Sequence, residues 1–361
     1  MSCALWKSIP AGFAVLLVAT CPVHAAATVT TAPVGFTKLT TLANSEAIIS
    51  PCFTRPSVYS GSLTALSGTV LTASGSPAWS TNSLVQSLPA QPDTYYVRFE
   101  SGNAAGRYYT VVANAAQTVT IDWNGETPAA AVTDRFSIIP YWTLGTLYPA
   151  DEAGTAFTAS SSESIHGTEI VFPDLATVGI NLPASATFYF LGGAWRKTGQ
   201  SSSLSFDSMV VAPDSYVVQR NPSALTRVTV YGRVPRGVIS TGLNANGGTV
   251  KQDNAVALGF AGVVTLDGSN LVGSGAFRTS LSPLFPTDEL YVFDNATTGI
   301  KKAAAAVYFH YNNAWRKVGA PITTNFGPTA VFAPGTGVIV RTSGTGTTAT
   351  TAYWTYTATA N

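Results

Sequence analysis

Short runs of β-branched and aromatic residues, separated by Gly, Pro, Asn and Ser, recur from Val34 onward and predict strands rather than helices. In the first half these runs cover residues 34–42, 63–65, 70–73, 94–99 and 107–123, with Ser-Gly-Asn-Ala-Ala-Gly at 101–106 as a hairpin loop between the last two. Further along, two aromatic runs at 186–191 and 306–311 are each followed by a turn pair, Gly192-Gly193 or Asn312-Asn313, and then by Ala-Trp-Arg-Lys. Both turn pairs tolerate the positive φ angles of a two-residue primed turn. That geometry sets Phe190 opposite Trp195 and His310 opposite Trp315, with Phe188 and Tyr308 opposite Lys197 and Lys317. The opposite face carries Tyr189 with Arg196 and Phe309 with Arg316. The pattern leaves open which face enters the core.

The two hairpins belong to a longer duplication. Residues 169–206 and 289–326 align without a gap and agree at 14 of 38 positions, and after a one-residue gap Val-Val-Ala-Pro at 210–213 matches Val-Phe-Ala-Pro at 331–334. Leu144-Gly-Thr-Leu-Tyr-Pro149 also echoes Leu281-Ser-Pro-Leu-Phe-Pro286 at a spacing of 137, which predicts 17 extra residues in a surface loop of the first copy, near 150–166. The duplication decides one ambiguity: the run Lys-Lys-Ala-Ala-Ala-Ala at 301–306 has helical composition, but its counterpart holds Pro183, so both segments are read as extended. The expected fold is all-β, two related β-rich units of sandwich or barrel-like form, with extra hairpins inserted in the first. The expected domains are a first unit over 26–227 with the inserted hairpins near 77–130, and a second unit over 228–361.

Residues 1–25 have the form of an export signal, with Lys7 in the n-region, an apolar stretch at 11–20 and Val23-His24-Ala25 before the cut. The apolar stretch is too short to span a bilayer, so the expectation is a secreted or cell-surface protein with no transmembrane span after cleavage. A lipoprotein acylated at Cys21 would carry Thr20 where that signal prefers Gly or Ala. Cleavage removes Cys3 and Cys21 and leaves Cys52 alone, so no intrachain disulfide can form and a packed core must hold the chain together. It also removes Lys7, taking the formal charge from +1 to about 0. Charged residues are only 10% of the chain and the basic ones do not cluster, which argues against nucleic acid as a partner.

The paired Ala-Trp-Arg-Lys-x-Gly at 194–199 and 314–319, each followed by Ala-Pro-x-x-x-Val-x-x-Arg, resembles an uncharacterised family of secreted bacterial proteins. Tyr141-Trp-Thr-Leu-Gly145 and Tyr95-Tyr-Val97 extend the resemblance over most of the chain. That family has no established activity, so the resemblance implies no catalytic or binding residue. A second similarity, to short β modules of bacterial surface proteins, rests on Trp followed by Pro334-Gly335-x-Gly337.

Candidate chemistry is sparse. His166 and His310 are the histidines beyond the leader, and neither a Gly-x-Ser-x-Gly elbow nor a phosphate loop is present. Acids recur as Glu169/Glu289 and Asp174/Asp294, each copy with an arginine, Arg220 or Arg341, and Asp151-Glu152 and Asp288-Glu289 both follow prolines. A converging pair of carboxylates would suit glycoside hydrolysis, whereas doubled ion pairs suit structure. Oxygen-rich turns at 122–126 and 267–270 are the calcium candidates. Trp195 and Trp315 are the candidate ligand-stacking residues, and exposure separates that role from duplicated core anchors. The sequence assigns no catalytic, cofactor-binding or metal residue. It points to a non-enzymatic structural or adhesive protein, with self-association or extracellular glycans as partners; a carbohydrate-binding module and then a glycoside hydrolase are the alternatives.

Overall fold

The computed structural model describes residues 32–127 and 129–358, and the export signal expected at 1–25 lies outside them. The chain is all-β. The first unit opens with β1 (Val34–Thr41) and β2 (Ser45–Ile49), after which β3 (Tyr59–Ser67), β4 (Val70–Ala73), β5 (Tyr95–Phe99), β6 (Tyr108–Asn114), β7 (Thr118–Ile121) and β8 (Arg135–Pro140) form a closed barrel. It resumes with β9 (Trp142–Thr143), β10 (Glu169–Phe172), β11 (Ala186–Leu191), β12 (Ala194–Lys197), β13 (Val210–Val211), β14 (Val217–Asn221) and β15 (Thr226–Arg233). The second unit runs through β16 (Gly237–Ala245), β17 (Gln252–Ala257), β18 (Val264–Thr265), β19 (Glu289–Val292), β20 (Ala306–Tyr311), β21 (Ala314–Lys317), β22 (Ala330–Phe332), β23 (Gly337–Thr342) and β24 (Thr350–Ala358).

The sheet of the first unit has the order β12-β11-β10-β14-β2 and that of the second β21-β20-β19-β23-β17, the same path strand for strand. Each unit adds a long two-stranded ribbon, β1-β15 or β16-β24, and a short pair, β9-β13 or β18-β22. The ribbon register, from Val34 opposite Arg233 to Thr41 opposite Thr226, puts the join between the units after Arg233 instead of at 228. The ribbon closes over the sheet, so Val228 and Val230 of β15 share a core with Ile49, Phe188, Trp195 and Val217. Trp354 and Tyr356 of β24 share the matching core with Leu290, Tyr308, Trp315, Val338 and Val340.

The hairpin turns have φ of 60° and 83° at Gly192-Gly193 and 49° and 54° at Asn312-Asn313, the left-handed pair that a primed turn requires. Phe190 then faces Trp195 and His310 faces Trp315, as the turn length demands. The indole face is the core face of both hairpins. The stretch before β20 is not helical, in line with Pro183 at the corresponding place, but it is irregular instead of a strand and turns at Lys301 with φ of 55°.

Two expectations change in detail. The inserted block is larger than 77–130, because β3 pairs with β8 (Tyr59 opposite Ile138, Ser62 opposite Arg135) and closes the barrel around Leu63, Val97, Phe99, Val119, Phe136 and Ile138. Closure removes the free edges that separate hairpins would leave. The loop near 150–166 does not hold 17 extra residues. Ser160 N–H donates to Phe190 O at 2.8 Å and Ser280 N–H to His310 O at 2.8 Å, while Phe157 packs on Trp195 as Phe277 does on Trp315. The spacing of 120 therefore holds from Phe157 through the hairpin. Upstream, Gly145 N–H to Asp207 O corresponds to Asp267 N–H to Gly327 O, so the first copy is only two residues longer there. The Leu-Pro echo was misleading because Leu144, Leu147 and Tyr148 form a helical turn in the core, whereas Leu281, Leu284 and Phe285 are 97%, 80% and 79% exposed.

The two sheets lie back to back. Ile48, Tyr216 and Val218 of the first pack against Ala255, Ala257, Phe293 and Ile339 of the second. Backbone bonds cross in reciprocal pairs: Glu46 N–H donates to Gly299 O (3.0 Å) as Asp253 N–H does to Gly179 O (2.9 Å), and Ser50 N–H to Gly335 O (2.9 Å) as Ala257 N–H does to Asp214 O (2.9 Å). Self-complementary exchange of this kind is the pattern of a two-fold interface, here between halves of one chain.

Candidate functional site

The barrel meets both units at Asp214, in the turn Ala212-Pro-Asp-Ser215 that Ser215 N–H closes onto Ala212 O at 3.1 Å. Tyr108 of β6 donates its hydroxyl to Asp214 Oδ1 at 2.6 Å, and the Asp214 carbonyl accepts from Ala257 of the second unit. Burial pushes the Asp214 carboxyl above the usual range, and the Tyr108 bond pulls it back down. Burial, then the neighbouring Asp214, holds the Tyr108 phenol far above its ordinary value. Tyr96 and Tyr141 pack on Tyr108 and on each other with ring centroids 4.6 to 6.3 Å apart. A cavity of about 50 Å³ lies beside this cluster and reaches Cys52 and Tyr356. That volume suits a water molecule or two, not a substrate.

Other contacts lock the barrel to the second unit. Arg98 donates to the carbonyl of Val238 at 3.0 Å, and Ser240 donates its hydroxyl to Ala105 O at 2.9 Å. Gly106, with φ of 83°, sits so close to β16 that a Cβ would lie 2.6 Å from Ser240 N, so the loop needs glycine there on both counts.

Beyond Tyr108 the seam opens into a polar cleft of about 280 Å³ between β6 and the β16-β24 ribbon. Glu126 sits in it and accepts from Tyr109 at 2.8 Å, from Tyr353, and from Arg107 at 3.5 Å. The Arg107 guanidinium lies 3.7 Å over the Tyr353 ring. Burial and then the bond to Glu126 push the Tyr109 phenol up to about 12 and the Tyr353 phenol higher still. No motif marked these residues in the sequence; only Glu126 fell inside a proposed turn. A larger cleft, about 570 Å³, runs between Pro89 and Pro92 of the barrel and Gly193 and Asp207 of the first unit.

Trp195 and Trp315 are 0% and 2% exposed, which removes them as ligand-stacking platforms, since stacking needs a ring face open to solvent. Trp195 packs on Tyr148, Phe157 and Phe190, and its indole N–H donates to Tyr148 O at 3.1 Å. The repeated acids and arginines are divided among ion pairs. Arg220 bridges Glu46 (3.3 Å) and Glu169 (3.2 Å), Arg341 holds Asp253 (2.6 Å), and Glu289 takes Lys251 (2.8 Å). Asp288 is fully buried against Arg278 at 2.8 Å. Asp174 and Asp294 close Asx turns, and backbone and side-chain donors of Thr177 and Ala176 draw the Asp174 carboxyl below its ordinary range.

His166 bonds Glu169 at 2.8 Å and stacks 4.0 Å from the Tyr189 ring, and His310 bonds the Thr279 hydroxyl at 2.8 Å. Burial lowers the proton affinity of His310. In the proposed calcium turns, Asp122 accepts from Asn124 N–H within its own turn, and the Asn270 amide donates to the carbonyl of Thr355 on β24. Among the described residues no group of three or more His, Cys, Asp or Glu is placed to hold a metal ion, and no helix is long and apolar enough to cross a membrane. Comparison with protein-family models, with curated proteins and with solved structures finds no match for this chain.

Proposed function

We propose that this chain is a secreted, non-enzymatic structural or adhesive protein of the cell surface or extracellular matrix. The observation that carries the reading is how its reactive groups are employed. Both histidines beyond the leader are tied to neighbours within the fold, and the Cys52 thiol is sealed by burial, which pushes it up to about 12. The repeated acids are bound to arginine or lysine, or to backbone N–H groups. A surface rich in Thr and Ser and a formal charge near zero suit a protein kept in solution by hydroxyl groups outside the cell. The test is to fractionate the native host, image the exported material and assay the purified chain on a panel of chromogenic glycosides. Chain in the medium or the surface fraction, with no turnover, is the expected result. Retention in the cytoplasm, or turnover abolished by changing one carboxylate, overturns the reading.

A further inference from the structure

We propose that the cleft between the barrel and the β16-β24 ribbon binds a neutral, hydroxyl-rich ligand, a single sugar ring of an extracellular glycan. Arg107, Asn124 and Glu126 come from the barrel side, and Asn244, Thr351 and Tyr353 from the ribbon. The volume of about 280 Å³ lies at the lower edge of small-ligand pockets, which admits one ring and excludes a bulky cofactor.

The bonding inventory selects the ligand chemistry. Arg107 makes one side-chain hydrogen bond among the described residues, the 3.5 Å contact with Glu126, although its guanidinium is fixed over Tyr353 and carries five N–H donors. Asn244 has its carbonyl oxygen engaged by Thr351 Oγ1 at 2.8 Å, which orients the amide and leaves its NH2 group without a partner among the described residues. The Asn124 side chain has no partner among them either; only its backbone N–H is bonded, to Asp122. Glu126 is held in place by three donors and keeps lone-pair capacity for another. Oriented amide and guanidinium donors beside a fixed carboxylate match a group that both donates and accepts, which is the hydroxyl.

Charge argues against an anion. Arg107 is balanced by Glu126, and Asp214 forms the inner wall, so the cleft offers no net positive charge to a phosphate or sulfate. Asn124 and Asn244 are exposed, so a ligand takes the place of water at their donors, and holding several of those donors at once gives it its affinity.

The inference deepens the adhesive reading by naming what is adhered to, and rests on it only for the place where the ligand is met. The probes are free glucose, galactose, mannose and N-acetylglucosamine, followed by saturation-transfer NMR and titration calorimetry on the purified exported chain, with inorganic phosphate as the anionic control. At least one sugar is expected to bind with Kd of about 1–10 mM. Asn124→Gly removes the amide while keeping the left-handed backbone (φ 53°), so it should weaken binding about tenfold with an unchanged melting temperature. Arg107→Met, the second variant, should do the same or more. No binding of any of the four sugars, binding unaltered in both folded variants, or phosphate binding in their place overturns the proposal. Fractionation of the host is independent of all of these outcomes, so the two readings fail separately.

Discussion

The bond between Tyr108 and Asp214 should be the point at which attachment of the barrel is most sensitive to pH. Asp214 is the contact that unites the inserted barrel with both units, and burial disfavours its charged form. Tyr108→Phe deletes a 2.6 Å hydrogen bond to that carboxyl and leaves it without a side-chain donor among the described residues. A bond to a charged group contributes about 1.5–3 kcal/mol, so the variant should lose about that much at neutral pH. Asp214→Asn is the informative partner, because the amide oxygen still accepts from Tyr108 while the buried charge disappears.

The sign of the pH effect follows from the raised carboxyl. Its folded value lies above the ordinary 3.8, so the stability that Asp214 contributes is fully present below the unfolded value and declines as pH rises through the folded one. The Asn variant lacks that decline. Guanidinium unfolding followed by tryptophan fluorescence, over a series from about pH 4 to pH 8, should show the variant gaining on the parent as pH increases. An Asn variant that loses ground with rising pH, or a Tyr108→Phe variant as stable as the parent at pH 7, would refute the assignment of Asp214 as a buried charge held by one phenol.

Other contacts in the fold give equally definite expectations. Trp195→Ala should cost about 3–5 kcal/mol in chemical denaturation, since it empties a site enclosed by Tyr148, Phe157 and Phe190. Arg341→Met should cost about 3–5 kcal/mol by leaving Asp253 buried without its cation, both side chains being only 10% exposed. At the hairpin turn, Gly193→Ala meets no atom within 4 Å and should lose only the strain of a left-handed alanine, about 1–2 kcal/mol, whereas Asn313→Gly should leave thermal stability nearly unchanged. Cys52, with its thiol pushed up to about 12 and 1% exposed, should react with a thiol reagent at pH 8 only after unfolding.

The hairpins could be read directly from sequence because their information is local. Two residues able to take positive φ, flanked by aromatic runs, fix both the turn and the pairing of Phe190 with Trp195. The barrel could not be read in this way, because its closure depends on β3 meeting β8 across more than seventy residues, and no short pattern encodes such a meeting. The misplaced loop shows the converse hazard: Leu-x-x-Leu-aromatic-Pro is a core turn at Leu144 and an exposed loop at Leu281, since composition does not state what lies above it. The cleft was hidden for a related reason. Arg107, Glu126 and Tyr353 are ordinary surface types in sequence, and Tyr353 joins the other two only when the barrel docks on β24.

The two-fold arrangement also explains why the barrel contact rests on a residue that has no twin. Asp214 and Gly335 hold corresponding places, second after Ala in the turns Ala212-Pro-Asp-Ser215 and Ala333-Pro-Gly-Thr336, and each offers its carbonyl to the other unit. Gly335 has φ of 77°, and a Cβ there would lie 2.6 Å from Leu39 of β1, so the second copy of this turn is closed to side chains by the ribbon of the first unit. The first copy faces β6 instead, where Tyr108 supplies a donor. A similar exchange is seen at the bond between Gly145 and Asp207, whose counterpart joins Asp267 to Gly327: one partner carries the acid and the other is glycine, in opposite order. At Gly327 a Cβ would fall within 2.4 Å of the Asp267 carboxylate, so the space holds one side chain, from either segment but not both. Sites that are equivalent in backbone thus carry different side chains wherever a neighbour from outside the repeat, or from across it, already fills the volume.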